Sequence, residues 1–260
     1  MSEVLHISRD GPVLEVVLDR PKANAIDAPT SRAMGEAFAA FRDDPELKAA
    51  IVTGAGGRFF SAGWDLKAAA AGETPDADFG VGGFGGLQEL PGLNKPVIAA
   101  VGGMAVGGGF ELALSADLIL AAGHARFALP EIKAGQLADA ATIKLPRRMP
   151  HHVAMELLLT GRWLEAEEAR RWGLINEIVA AGDLMARARE LAALLASGPP
   201  LVFAAIKQVI RESAHLPIQD AFDLITHKRL PAVRALYGSE DAREGARAFA
   251  EKRAPVWQGR

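Results

Sequence analysis

Apolar and polar positions alternate along two short segments near the start of the chain, VLHIS (4–8) and VLEVVL (13–18), and Asp10-Gly11 between them predicts a hairpin. RPKANA (20–25) ends the second strand. Between Ser31 and Arg42 the period lengthens, with Ala33, Met34, Ala37, Phe38 and Phe41 at helical spacing, and Ala49 to Thr53 follows as a buried strand before the glycine turn GAGG. Strand, helix and strand in that order predict an α/β layered domain.

The same reading continues downstream. Phe59 to Lys67 (FFSAGWDLK) reads as a strand end and a turn, and Ala68 to Gly92, rich in Gly, Ala and Asp and without periodicity, reads as a long mobile surface loop. Val97 begins an apolar strand that runs into Gly107, Gly108 and Gly109 and then into the helical pattern Phe110, Leu112, Ala113, Leu114. Later helices are expected over His151 to Thr160 and Glu165 to Trp172, the second stopped by Gly173; LINEIV is a last short strand, and Asp183 caps a helix to Ala196. Pro199-Pro200 marks a boundary between a core (1–198) and an all-helical region (199–260). That region carries patterns at Leu201 to Ser213, Ile218 to Tyr237 and, after Ser239 as N-cap, Glu240 to Lys252.

Composition narrows the classes of function. Half of the 260 residues are apolar, which is ample for a core, and 29 basic against 32 acidic residues give no electrostatic case for nucleic acid or an anionic membrane. The absence of cysteine removes disulfides, thiolate metal sites and cysteine nucleophiles. Polar and charged residues near the start, Glu3, His6, Arg9 and Asp10, argue against a secretory signal, and the longest apolar run, Pro96 to Phe110, is too short and glycine-rich to span a bilayer, so a cytoplasmic location is expected. Gly80, Gly82 and Gly85 spell G-x-G-x-x-G, but an acidic loop stands where the strand of a dinucleotide site should be. No phosphate loop or nucleophile elbow occurs, and His151-His152 begin a helix without sharing a face, so no metal site is expected.

The candidate chemistry lies in the glycine-rich turn. Backbone N–H groups at a helix start favour negative charge, and glycine lets a ligand approach the main chain. Into this apolar segment the sequence puts Glu111, with no Lys or Arg between Lys95 and Arg126 to pair with it, and Glu131 stands after a Leu-Pro turn twenty residues on. A lone Glu at a helix start would be an ordinary dipole acid. In this company a buried, unpaired carboxylate is costly and its pKa rises toward the range useful for proton transfer.

In order and spacing, RPKANAID, FFSAGWDL, KPVIAAV-GG-AVGGGFELAL-AD, FALPE and the tail EKRAPVWQGR resemble the enoyl-CoA hydratase/isomerase (crotonase) superfamily over essentially the whole chain. The resemblance implies a spiral of ββα units with a helical C-terminal trimerisation region, a homotrimer or dimer of trimers, an acyl-CoA substrate, and no cofactor beyond the coenzyme A that substrate carries. It implies that the main-chain N–H groups of Trp64 and Gly108 hold the thioester oxygen and that Glu111 and Glu131 are the catalytic pair around one water. It further implies coenzyme A or substrate contacts at Lys22, Ala23, Ala25, Ala62, Asp65 and Leu66, and a water-holding main-chain N–H at Asp139. Lys252 and Arg253 are phosphate partners or a solvated helix end. The chain departs from the family where a Pro-Asp and two glycines usually come after the second Glu: Ala138, Asp139, Ala140, Ala141 and Thr142 stand there instead.

Within the superfamily, SAGWDLKAAA, PDADFG and RWGLIN resemble the branch that dehydrates carnitinyl-CoA to crotonobetainyl-CoA. A general short-chain enoyl-CoA hydratase is the alternative. An enoyl-CoA isomerase typically needs one of the two glutamates, and a noncatalytic RNA-binding relative would want a clustered basic face that this chain lacks.

Overall fold

The computed structural model describes residues 4–260. Strands β1 (Leu5–Asp10) and β2 (Val13–Leu18) pair antiparallel across Gly11-Pro12, with Gly11 at φ +54° as a tight hairpin requires. After the short β3 (Ala25–Ile26), α1 (Ala28–Asp43) starts earlier than the apolar face alone predicts. Asp27 accepts the Thr30 N–H as its cap, and Pro29 supplies a preset first turn.

From there the chain repeats a step: a strand in a first sheet, a strand in a second, then a helix. β4 (Ala49–Gly54) leads to β5 (Phe59–Ser61), β6 (Gly63–Trp64) and α2 (Leu66–Ala70). β7 (Val97–Val101) leads to β8 (Met104–Val106) and α3 (Gly108–Ser115). β9 (Leu118–Ala122) leads to β10 (Arg126–Ala128), a 3-10 turn over Pro130–Ala134 and α4 (Asp139–Lys144). The first sheet runs β1-β2-β4-β7-β9-β12, parallel after the hairpin, and the second runs β11-β10-β8-β5, where β11 is Leu164–Glu165 and β12 is Glu177–Val179. This is the spiral of ββα steps that the resemblance implies.

The first sheet is covered on both faces, which explains why its central strands are continuously apolar. One face packs into the main core with Phe38, Phe41, Phe60, Phe110 and Phe127; the other receives Leu184, Ala188 and Ala192 of α7 (Leu184–Ala196), which comes after α5 (His151–Thr160) and α6 (Ala166–Arg171). Asp183 sits at the start of α7, but its side chain makes no cap hydrogen bond. Beyond Pro199 come α8 (Pro200–Ser213), α9 (Ile218–Thr226), α10 (Pro231–Tyr237) and α11 (Asp241–Ala250), with a small cluster of their own around Ala205, Leu230 and Val233. The Ser239 hydroxyl caps α11 through the Ala242 N–H.

Besides the Asp183 cap, two expectations differ from the structure. The single helix expected over Ile218 to Tyr237 is two, because Lys228 turns left-handed at φ +50° and Pro231 forces Leu230 out of the helical region. The Ala68–Gly92 segment is not a surface loop throughout. Its second half, Gly82 to Leu87, is largely buried against α1, at a backbone separation so close that a Cβ on Gly86 would collide with Met34 and Gly35. Among the described residues no single helix is long and apolar enough to cross a membrane.

Candidate active site

Three neighbouring strands of the second sheet, β5, β8 and β10, run parallel, and each leads into a candidate residue. The register sets Phe59 beside Met104, and Ala105 beside Phe127. The segments just beyond their carboxyl ends are therefore brought together: Gly63-Trp64, Gly107-Gly108 and Glu131. Ligands in open α/β sheets collect at this end of the strands for the same reason.

The glycines let these segments touch. Gly107 has φ +54°, its N–H donates to Ala128 O at 2.9 Å, and a Cβ there would stand 2.5 Å from Glu131 Oε1. A Cβ on Gly63 would meet the amide nitrogens of Gly108 at 2.8 Å and Gly109 at 3.2 Å, so β6 lies directly on the start of α3. Gly108 opens α3, and the N–H of a first-turn residue has no carbonyl to bond within its helix. The ring of Phe84, from the buried glycine segment, rests against Gly108. The two oxyanion candidates, Trp64 and Gly108, are thus neighbours across β6 and α3. The Trp64 side chain donates its indole N–H to Glu73 at 2.7 Å, and Glu73 also takes the Ala28 N–H at 2.9 Å.

Glu111 lies one turn into α3, 7% exposed on a helix whose residues Gly108 to Leu114 are all buried. Its neighbour Phe110 packs on Phe127 of β10 at 5.1 Å between ring centres, which fixes α3 against the strand that leads to Glu131. Glu111 Oε1 accepts the Ala141 N–H at 2.8 Å, and Oε2 faces the Gln88 amide at 3.5 Å. Burial raises the Glu111 pKa, with these donors opposing and the Asp139 charge adding to the rise. Glu131 is more extreme. Its Oε2 is buried with no hydrogen-bond partner among the described residues, and burial, reinforced by the negative charges of Glu111 and Asp139, pushes its pKa up to about 7. The backbone N–H of Glu131 itself opposes that rise. Two acids are therefore held close enough to interact, Glu111 with a donor to each oxygen and Glu131 with one oxygen left without.

The remaining predicted residues fall into two groups. Ala23 and Ala25 join Ala62 and Asp65 through the β3–β6 ribbon, with Ala62 N–H donating to Ala23 O at 2.9 Å; Lys22 and Leu66 are exposed beside it. This puts the candidate coenzyme A contacts on one edge next to Trp64. Asp139 begins α4, but the N–H that reaches a catalytic candidate is that of Ala141, two residues later. Arg253 is not available to a phosphate in this chain, since it pairs with Glu244 and Glu251; Lys252 is exposed.

Several supporting residues carry no sequence pattern of their own. Arg20 gives one hydrogen bond to Ala25 O at 2.9 Å and pairs with both Asp65 and Asp27 at 2.6 Å, tying the ribbon to the start of α1. Asn24, left-handed at φ +51°, accepts the Arg20 N–H and donates to Ala55 O and Phe59 O. The only sequence signal for either is the string RPKANA itself. Lys144, Gln88 and Ser115 around Glu111 come from three separate elements and share no local pattern.

The chain is similar over nearly its whole length to known proteins. The enoyl-CoA hydratase/isomerase family model matches residues 8–260. Proteins named carnitinyl-CoA dehydratase from Salmonella typhi and Salmonella typhimurium are each 57% identical over the whole of both chains. Among solved structures, an enoyl-CoA hydratase from Mycobacterium tuberculosis superposes with a TM-score of 0.89 at 39% identity over 99% of each chain. A probable enoyl-CoA hydratase/isomerase from Mycobacterium abscessus gives 0.88 at 43% identity over all of both chains. With its ββα spiral, its glycine-lined helix start and its two interacting carboxylates, the chain belongs to the enoyl-CoA hydratase/isomerase family.

Proposed function

We propose that the protein is a hydro-lyase that interconverts carnitinyl-CoA with crotonobetainyl-CoA and water, using Glu111 and Glu131 as its acid–base pair. The observation that carries the reading is the asymmetry of that pair: two carboxylates drawn largely out of water interact beside the α3 start, Glu111 with a donor to each oxygen and Glu131 with its Oε2 left without one. Full-length identity to proteins named carnitinyl-CoA dehydratase supports the choice of acyl group.

In the hydration direction the donors of Ala141 and Gln88 favour an ionised Glu111, while Glu131, whose buried Oε2 has no partner among the described residues, holds the proton. Glu111 takes a proton from water as its oxygen bonds to C3, and Glu131 delivers its proton to C2. Dehydration runs the same path backwards: ionised Glu131 takes the C2 proton, and protonated Glu111 gives its own to the departing hydroxyl. The pair carries one proton throughout. Negative charge that develops on the thioester oxygen is met by the main-chain N–H groups of Trp64 and Gly108, each contributing about 3 to 4 kcal/mol by comparison with known oxyanion donors. Lys22, Ala23, Ala25, Ala62, Asp65 and Leu66 form the coenzyme A edge, and the Asp139 N–H at the start of α4 is a further contact for the water.

The trimethylammonium group has no hydrogen-bond donors, so aromatic faces suit it. Phe84, against Gly108 and with Phe79 edge-on at 5.4 Å, and the Trp64 ring are the candidates. Asp76 and Asp78 are exposed, which screens their charge. Assembly as a homotrimer or dimer of trimers is part of the same proposal, because Ile206, Ile210, Ile218 and Phe222 leave apolar surface exposed on α8 and α9. Light scattering at micromolar concentration tests this, and a monomer would remove it.

The substrate is tested by comparing kcat/KM for crotonobetainyl-CoA and crotonyl-CoA. The reading expects at least about tenfold in favour of the first, equivalent to about 1.4 kcal/mol of differential transition-state binding. Equality, or a preference for crotonyl-CoA, would replace it with a general short-chain enoyl-CoA hydratase.

A further inference from the structure

Lys144, the last residue of α4, is half-buried, and its ammonium donates to Gln88 O at 2.9 Å and to Ser115 Oγ at 2.7 Å. Each of these contacts leads to Glu111. Ser115, at the end of α3, donates its hydroxyl to the Glu111 carbonyl at 2.8 Å, Gln88 turns its amide toward Oε2, and α4 itself supplies the Ala141 N–H to Oε1. One side chain therefore pins together the glycine-rich segment, α3 and α4, which are the three elements that hold the Glu111 carboxylate.

We propose that Lys144 is the positioning residue for Glu111, fixing the orientation of its carboxylate through Gln88, Ser115 and α4 and favouring its ionised form. The proposal rests on the reading of Glu111 as the group that activates water. The charges around the pair are few. Lys144 is faced by Glu111 from α3, by Glu89 beside Gln88 and by Arg148 beyond α4, whereas Glu111 is faced by Asp139 and Lys144 from α4 and interacts with Glu131. Burial lowers the Lys144 pKa to about 8, opposed by the Glu111 charge, so the ammonium is still mostly protonated at neutral pH. No ion-pair contact joins Lys144 to Glu111 among the described residues, so the lysine acts on the carboxylate through space and through its anchors. A direct pair would hold Glu111 ionised too firmly to take a proton from water.

The test is the pH profile of kcat/KM for hydration of crotonobetainyl-CoA and crotonyl-CoA by the full-length protein carrying Lys144→Met, Lys144→Arg, Ser115→Ala or Glu111→Gln. Loss of the positive charge in Lys144→Met should raise the acid limb by about half to one pH unit and lower kcat about 10- to 100-fold, with KM changed less than about threefold. Lys144→Arg should restore the acid limb. An acid limb that stays in place in Lys144→Met overturns the proposal, because a purely structural role would cost folded protein without moving a titration. Should that variant fail to fold, Ser115→Ala decides: it removes one anchor and keeps the charge, so kcat should fall several-fold at unchanged KM, and an unchanged kcat overturns the proposal. Glu111→Gln separates the two claims. If it stays active, the reading of Glu111 fails; if it is inactive while the acid limb of Lys144→Met is unmoved, only the role of Lys144 fails.

Discussion

The C-terminal helices and the start of α3 both bury carboxylates, and they treat them in opposite ways. In the C-terminal region Glu244 is 2% exposed and Asp241 5% exposed. Glu244 takes hydrogen bonds from Arg253, Arg247 and the Val256 N–H, while Asp241 takes the N–H groups of Gln258 and Gly259. Arg253, Val256 and Arg247, in that order, hold the Glu244 pKa far below the ordinary carboxylate range. At the start of α3, Glu111 has one good donor, and Glu131 Oε2 has none among the described residues; both pKa values rise. Burial alone therefore does not mark a catalytic acid. What separates a strap from a proton carrier is whether the fold satisfies the charge it has buried.

The comparison is broken most directly by removing the acids. Glu111→Gln and Glu131→Gln keep shape and some hydrogen bonding but cannot exchange the proton, so each should lower turnover by about 10²- to 10⁴-fold while the CoA ester still binds. Turnover assays with a binding measurement on the same samples check this, and near wild-type turnover in either variant would remove that residue from the mechanism. Glu244→Gln should behave in the reverse manner. It leaves Arg247 without its counter-ion and Arg253 with Glu251 alone, so the melting temperature should drop while turnover per folded protein changes little. Stability drawn from Glu244 is present above its unfolded pKa, near the ordinary 4.5, and is lost as pH falls below it.

A smaller effect sharpens the contrast. The folded-state pKa of Glu131 lies at about 7 against an ordinary 4.5, so the native protein binds more protons than the unfolded chain between those values. Stability should therefore fall as pH rises through that window, with the penalty complete above it and absent below it. Glu131→Gln should remove the penalty and gain about 1–2 kcal/mol at pH 8, after allowance for the partial exposure of the group. Thermal melts of wild type and variant at pH 5 and pH 8 check the sign. A variant less stable than wild type at pH 8 would mean that Glu131 is a satisfied structural group.

Much of the fold is legible in the chain itself. The hairpin at Asp10-Gly11, the apolar strands and the glycine-to-helix junction at Gly107–Gly109 come from local pattern, and Glu111 stands out because nothing nearby in sequence can pair with it. The buried half of the glycine segment is not legible, because Gly82 and Gly86 pack through their backbones on Gly35 and show no apolar period. The break at Lys228–Pro231 is readable from the proline, and a continuous apolar face outweighs it. The supports of the site are hidden for another reason. Arg20 reaches Asp65 across 45 positions and Lys144 reaches Gln88 across 56, and side-chain contacts over such separations leave no local pattern.

The proposed catalysis turns on a single proton shared by Glu111 and Glu131, and the pH dependence of kcat/KM in both directions tests it most directly. Hydration starts from the pair with the proton on Glu131 and dehydration from the pair with it on Glu111; these are two arrangements of one protonation state, and the pair titrates as a unit. Crotonobetainyl-CoA hydration and carnitinyl-CoA dehydration should therefore trace the same bell, with an alkaline limb near the value of about 7 that burial gives Glu131. A missing alkaline limb, with rates still rising above about pH 9, would contradict the shared proton.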